Sequence, residues 1–153
     1  QEREALLQPG MRAVDLGAAP GGWTWQLVHR HLRVTAVDNG PMQPALMESG
    51  LVEHVREDGF RYQPPRGVEW MVCDMADSPI KVADRMAQWM VQGWCRRTIF
   101  NLKLPMKKRY QAVCDCRELI AAKLDAAGMA YRLDFKQLYH DREEVTAYLR
   151  PPR

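Results

Sequence analysis

Short apolar runs alternate with helix-forming stretches along most of this chain, and that alternation admits few folds. Arg12–Ala18 (RAVDLGA), Arg33–Asp38 (RVTAVD), Val52–Glu57, Val68–Met75 (VEWMVCDM) and Arg97–Leu102 (RTIFNL) read as strands. Between them, helices are expected over Gly22–His31, over Met42–Ser49, and from Pro79 to about Gln92, with Arg61–Gly67 (RYQPPRG) as loop. In the helix opened by Pro79, Ala83, Met86, Ala87 and Met90 share one face. A long helix from about Lys107 to Ala127 puts Tyr110, Val113, Ile120, Ala121 and Leu124 on one stripe and stops at Gly128. The end departs from the pattern. Met129–Leu138 and Val145–Arg150 are both strand-like, with only the polar run Tyr139–Glu144 between them. No helix fits in that gap, so these strands should pair antiparallel. The expected fold is α/β and doubly wound, a mostly parallel seven-stranded sheet ending in an antiparallel hairpin.

Composition sets the outer limits. The chain has 153 residues, 46% of them hydrophobic and 27% charged, which fits one globular domain over residues 1–153. No run of about 18 apolar residues is present, so no membrane span is expected. The start, QEREALLQPG, is too polar for a signal peptide, and its first residue is Gln rather than Met. The chain is therefore expected to be part of a longer protein. Lys and Arg total 22 against 19 Asp and Glu, too even a balance to point to nucleic acid by itself. Cys73, Cys95, Cys114 and Cys116 form no C-x-x-C pair. They read as free thiols in a reducing, cytoplasmic compartment, with no metal site.

Asp15-Leu16-Gly17-Ala18-Ala19-Pro20-Gly21-Gly22-Trp23 joins the first strand to the first helix. In doubly wound sheets a nucleoside-type ligand meets the sheet at this turn, where glycines admit the ligand and the helix offers unpaired N–H groups. A dinucleotide fingerprint would read G-x-G-x-x-G; here the run is G-x-x-P-G-G, which argues against NAD. Asp38 ends the second strand, about 20 residues after Gly17, where an acid takes a ribose hydroxyl pair in this architecture. Asp58 follows the third strand and Asp74 ends the fourth. Three acids at successive carboxyl ends are expected to face one ligand crevice.

At this point the chain resembles a known family. VDLGAAPGGWTWQLV, VCDMADSP, IFNLKLP and REEV are similar to the motifs of the FtsJ-type S-adenosylmethionine-dependent ribose 2′-O-methyltransferases. Within that family the segments AVDNGPM, REDGFRYQPP, QGWCRRTIFNLKLPMKKRY and QLYHDREEVT most resemble bacterial enzymes that methylate a cytidine ribose in 23S rRNA. The resemblance covers essentially residues 11–150. It implies the Rossmann-like methyltransferase fold, with S-adenosylmethionine held by Gly17, Ala19, Pro20, Gly21, Gly22, Trp23, Asp38, Asp58 and Asp74. It also implies a Lys-Asp-Lys-Glu tetrad, in which Asp74, Lys103 and Glu144 match the last three members. Glu144 is preferred to Glu143 because it directly precedes Val145. The tetrad's first Lys belongs upstream of the glycine turn, and this chain has no Lys before Lys81.

Methyl transfer to a ribose hydroxyl needs a sulfonium donor, an aligned oxygen and a destination for the proton; alignment alone supplies about 7–11 kcal/mol. Lys103, at the end of the fifth strand and expected next to Asp74, either accepts that proton as an amine or orients the oxygen as an ammonium. Two carboxylates favour the ammonium, so a second cation would be needed to make it a base. Lys107, Lys108 and Arg109 follow Lys103, Arg96 and Arg97 precede its strand, and Tyr110 adds a stacking surface. Together they are expected to hold RNA phosphates beside the target ribose. His140 is given no catalytic role, and the tryptophans, Trp23 apart, are expected in core or rim packing. The expected protein is a monomer acting on 23S rRNA. A methyltransferase for a non-RNA substrate and an RNA-binding module inactive in isolation are the competing readings. Lacking the upstream Lys, this chain alone is expected to bind the donor yet methylate poorly.

Overall fold

The computed structural model describes residues 7–137 and 143–152. Its strands are β1 (Arg12–Leu16), β2 (Arg33–Val37), β3 (Val52–Val55), β4 (Val68–Cys73), β5 (Cys95–Lys103), β6 (Arg132–Lys136) and β7 (Glu144–Arg150). Its helices are α1 (Gly22–His29), α2 (Pro44–Glu48), α3 (Pro79–Val91) and α4 (Arg109–Ala126). They make the expected seven-stranded mixed sheet. The chain divides into two compact units, Gln1–Asp74 and Met75–Arg153.

In the first unit the order is β3-β2-β1-β4, and all three pairings are parallel. A parallel strand is covered on both faces, so its sequence is apolar throughout rather than alternating. Ala13, Val14, Leu16, Val34, Ala36, Val37, Trp70, Met71, Val72 and Cys73 are all buried. Helix α1 packs on β1 and β2, and α2 on β3 and α1. The parallel arrangement brings the carboxyl ends together. Gly17 N donates to Val37 O at 2.9 Å, Asp38 N to Val55 O at 3.1 Å, and Asp74 N to Leu16 O at 3.2 Å.

In the second unit β7 lies between β5 and β6 and is antiparallel to both. Helix α3 packs on α4 and β5. Its expected face is the buried one: Ala83, Met86, Ala87 and Met90, joined by Val82 and Trp89. Each large side chain there contributes roughly 1.5–3 kcal/mol of burial. The long helix differs from expectation. Its buried stripe is Cys116, Ile120 and Leu124, whereas Tyr110 is 82% exposed. Strand β5 runs on through Lys103, because β7 pairs with it as far as Glu144. The antiparallel hairpin is present. The expected strand end at Leu138 and the connection through Tyr139, His140, Asp141 and Arg142 lie outside the described residues.

The four cysteines are free, three of them buried. No group of His, Cys, Asp and Glu among the described residues could hold a metal ion. No helix among them is long and apolar enough to cross a membrane.

Candidate active site

The glycine turn is held by backbone and by one carboxylate. Gly17 and Gly21 have φ of +75° and +133°, conformations that a side chain resists. A Cβ at Gly21 would also lie 2.3 Å from Leu46 Cδ1, so the turn presses directly on α2. Asp38 spans the turn: Oδ2 accepts from Ala19 N at 3.0 Å and Oδ1 from Gly40 N at 2.7 Å. The Asp38 carbonyl is 2.8 Å from His54 Nε2. Asp38 therefore fixes the turn's conformation, and each oxygen keeps a lone pair for a further donor. Trp23 is half-buried in the first turn of α1. Asp58 is exposed three residues past β3, and its Oδ1 accepts from Phe60 N at 2.9 Å, closing its own turn.

Asp15, at the base of the glycine turn, is a further acid that the motifs do not single out. It is buried in β1, and Oδ2 accepts from Thr24 Oγ1 at 2.7 Å. Oδ1 has no hydrogen-bond partner among the described residues. Burial raises its pKa to about 7, against the Thr24 hydrogen bond and with the help of Asp74 and Asp38. A buried acid with an orphaned oxygen and two acids nearby suits a cationic ligand. S-adenosylmethionine carries a sulfonium and an ammonium, so the residues present fit it. The signal is in the sequence: Asp15 is an acid set among the buried apolar residues of β1.

In the second unit, Lys103 and Glu144 are register partners on β5 and β7, and their side chains form an ion pair. Glu143 is exposed, and its carbonyl accepts from Leu104 N at 2.7 Å. On the opposite face of the strands from the pair, Leu104, Arg109, Tyr110, Val113, Gln137 and Val145 line a cavity of about 360 Å³. The exposed Tyr110 that breaks the helix stripe thus lines this cavity. Lys107 and Lys108 are exposed next to it, and Arg109 Nε donates to Pro105 O at 2.9 Å. Lys108 sits at the helix cap in the left-handed region, with φ of +57°.

Arg96 and Arg97 are not brought to this end. They lie at the start of β5, roughly 23 Å of strand from Lys103. Arg97 is half-buried, and its Nη1 donates to Tyr148 Oη at 3.2 Å. The tryptophans pack much as expected. Trp70 and Trp89 are core, Trp94 meets Trp89 edge-on, and Trp25 stacks on His29.

The FtsJ-like methyltransferase family matches residues 1–129 of this chain. The chain belongs to that family. Among FtsJ-like relatives, it is 65% identical over 148 residues to the ribosomal RNA large subunit methyltransferase M of Aromatoleum aromaticum, covering 97% of this chain and 40% of that protein. The chain spans about two-fifths of the length of the curated relatives it matches. Its fold is similar to the fibrillarin pre-rRNA processing protein of Methanococcus jannaschii, with a TM-score of 0.68 at 12% identity over 94% of this chain and 67% of that one. It is also similar to Aeropyrum pernix fibrillarin with natively bound S-adenosyl-L-methionine, with a TM-score of 0.59 at 16% identity and the same two coverages. These likenesses establish the Rossmann-like methyltransferase fold.

Proposed function

We propose that this chain is the methyl-transferring part of an enzyme that uses S-adenosylmethionine to methylate a ribose 2′-hydroxyl, at a cytidine of 23S rRNA. The observation that carries the reading is the Lys103–Glu144 ion pair where β5 and β7 end together, followed in the chain by the exposed Lys107 and Lys108 and by Arg109. A cation held in place by a carboxylate orients an oxygen nucleophile. The cations that follow Lys103 in the chain suit the phosphates of a nucleotide. The name of the relative at 65% identity supports large-subunit rRNA as the substrate.

In the first unit the donor is held by Gly17, Ala19, Pro20, Gly21, Gly22 and Trp23, with Asp38 on its ribose hydroxyls and Asp58 and Asp74 completing the acidic set. Asp15 faces its positive charge. When bound, the donor supplies an electrophilic methyl group. Lys103 fixes the direction of the hydroxyl oxygen, and Glu144 fixes Lys103. The family resemblance groups Asp74 with them. Lys107, Lys108 and Arg109 hold flanking phosphates. The free, mostly buried thiols suit the cytoplasm. The exposed apolar residues Trp25, Met47, Ile80, Met106 and Tyr110 are scattered over different segments, which suits a monomer.

Mass-spectrometric mapping of 23S rRNA from cells with and without the gene tests the reading. One ribose methylation should vanish on deletion, return with the wild-type gene, and fail to return with Lys103→Met. An unchanged methylation pattern on deletion would overturn it.

A further inference from the structure

The amino ends of the first unit's strands carry a second cavity that methyl transfer does not use. Arg12 opens β1 and Arg33 opens β2, and the two are register partners, so their side chains leave the same face of the sheet. Arg66, just before β4, joins them around a cavity of about 340 Å³. Because β1 to β4 run parallel, these residues lie at the opposite end of the strands from the glycine turn. None of the three guanidinium groups makes a hydrogen bond or ion pair among the described residues.

The rest of the lining is mostly apolar: Val14, Leu51, Pro65 and Val68 contribute to it. The hydroxyls of Tyr62 and Thr35, which also line it, are hydrogen-bonded to each other. Glu53 is the only acid in the lining. A cavity of this size is in the range that holds a small ligand. Three unmatched guanidinium forks suit a phosphate, which they bind in bidentate fashion. A bare phosphate would leave the apolar lining uncovered, and an uncharged ring would leave the arginines unmatched. A nucleotide meets both demands, and single-stranded RNA offers its bases one at a time.

We propose that this cavity binds one nucleotide of an RNA strand, its base against Val14, Pro65 and Val68 and its phosphate on Arg12, Arg33 and Arg66. The choice of a nucleotide over another anion rests on the RNA reading above. The site would anchor RNA far from the reacting ribose.

Titration of the 153-residue chain followed by amide chemical shifts tests this, with cytidine 5′-monophosphate, cytidine, inorganic phosphate and a glutamate-rich peptide as probes. The monophosphate should shift the amides of Arg33, Leu51 and Arg66 and bind at least about tenfold tighter than the other three probes, a difference of about 1.4 kcal/mol. The double variant Arg33→Gln/Arg66→Gln removes two exposed side chains and should keep the wild-type melting temperature. It should weaken the monophosphate at least about tenfold and leave S-adenosylmethionine affinity unchanged. Monophosphate binding unaltered by the double variant, or matched by phosphate or the peptide, would overturn the proposal. If the donor binds and the monophosphate does not, this site falls and the methyl-transfer reading stands; absence of donor binding sinks that reading instead.

Discussion

Asp15 and Asp38, two acids beside the glycine turn, differ in what they do. Asp15 is buried with its pKa raised from 3.8 to about 7. Below pH 4 it is protonated folded or unfolded. Between about pH 4 and 7 the folded chain keeps a proton that the unfolded chain has lost, so this residue's contribution to stability falls as pH rises and levels off above 7. The loss is on the order of a few kcal/mol. Asp15→Asn should flatten that segment of the curve, and chemical denaturation of both proteins at pH 4.5, 6 and 8 measures the difference. Equal slopes would mean that Asp15 titrates normally. Asp38 instead ties the amides of Ala19 and Gly40. Asp38→Ala should weaken S-adenosylmethionine by about 1–3 kcal/mol, the scale of a hydrogen bond to a charged group. Unchanged affinity by calorimetry would remove Asp38 from the donor site.

At the scale of elements, the β5–β7 pairing decides which Glu meets Lys103. Register places Glu144 opposite it and leaves Glu143 exposed. The pair is partly solvent-exposed, so its contribution to stability is small, about 1 kcal/mol or less. Glu144→Gln should therefore unfold almost as the wild type does while losing about 100-fold or more in methylation, the scale of a lost positioning or acid–base group. With the region upstream of this chain present in both cases, Lys103→Met should abolish methylation with donor affinity nearly intact. Methylation within a few-fold of wild type in either variant removes that residue from the chemistry. The buried elements were legible in the sequence: β1, β4 and the α3 face are uniform apolar patterns that only a covered sheet or helix satisfies. Their neighbours were not. Tyr110 falls on the apolar stripe of α4 by spacing but opens onto a cavity, which periodicity cannot distinguish from core. Lys103 extends β5 because β7 pairs with it, a long-range cause with no local signal. Arg96 and Arg97 are near Lys103 in sequence, but an extended strand carries them to its other end. Asp15 was visible as a charge in an apolar strand, yet its orphaned oxygen is a property of packing.

Over the whole molecule the charge excess is only three, from 22 basic and 19 acidic residues, so a long-range field contributes little to RNA capture. Affinity must then come from local clusters, and such clusters reveal themselves through salt. Each phosphate neutralised on single-stranded RNA adds about 0.7 to the slope of log K against log salt. Lys107 and Lys108 are both exposed a few residues after Lys103. Lys107→Ala/Lys108→Ala should lower the magnitude of that slope by about 1.4 and weaken binding most at low salt. The effect should be nearly the same across RNA sequences, because phosphate contacts carry no base information. S-adenosylmethionine affinity should not change, since neither residue belongs to the glycine-turn unit. Fluorescence anisotropy with a labelled 23S rRNA fragment between 50 and 300 mM salt reads the slope directly. A slope equal to the wild type's would show that the two lysines are ordinary solvated charges at a helix start, and would leave Lys103 without neighbouring phosphate contacts.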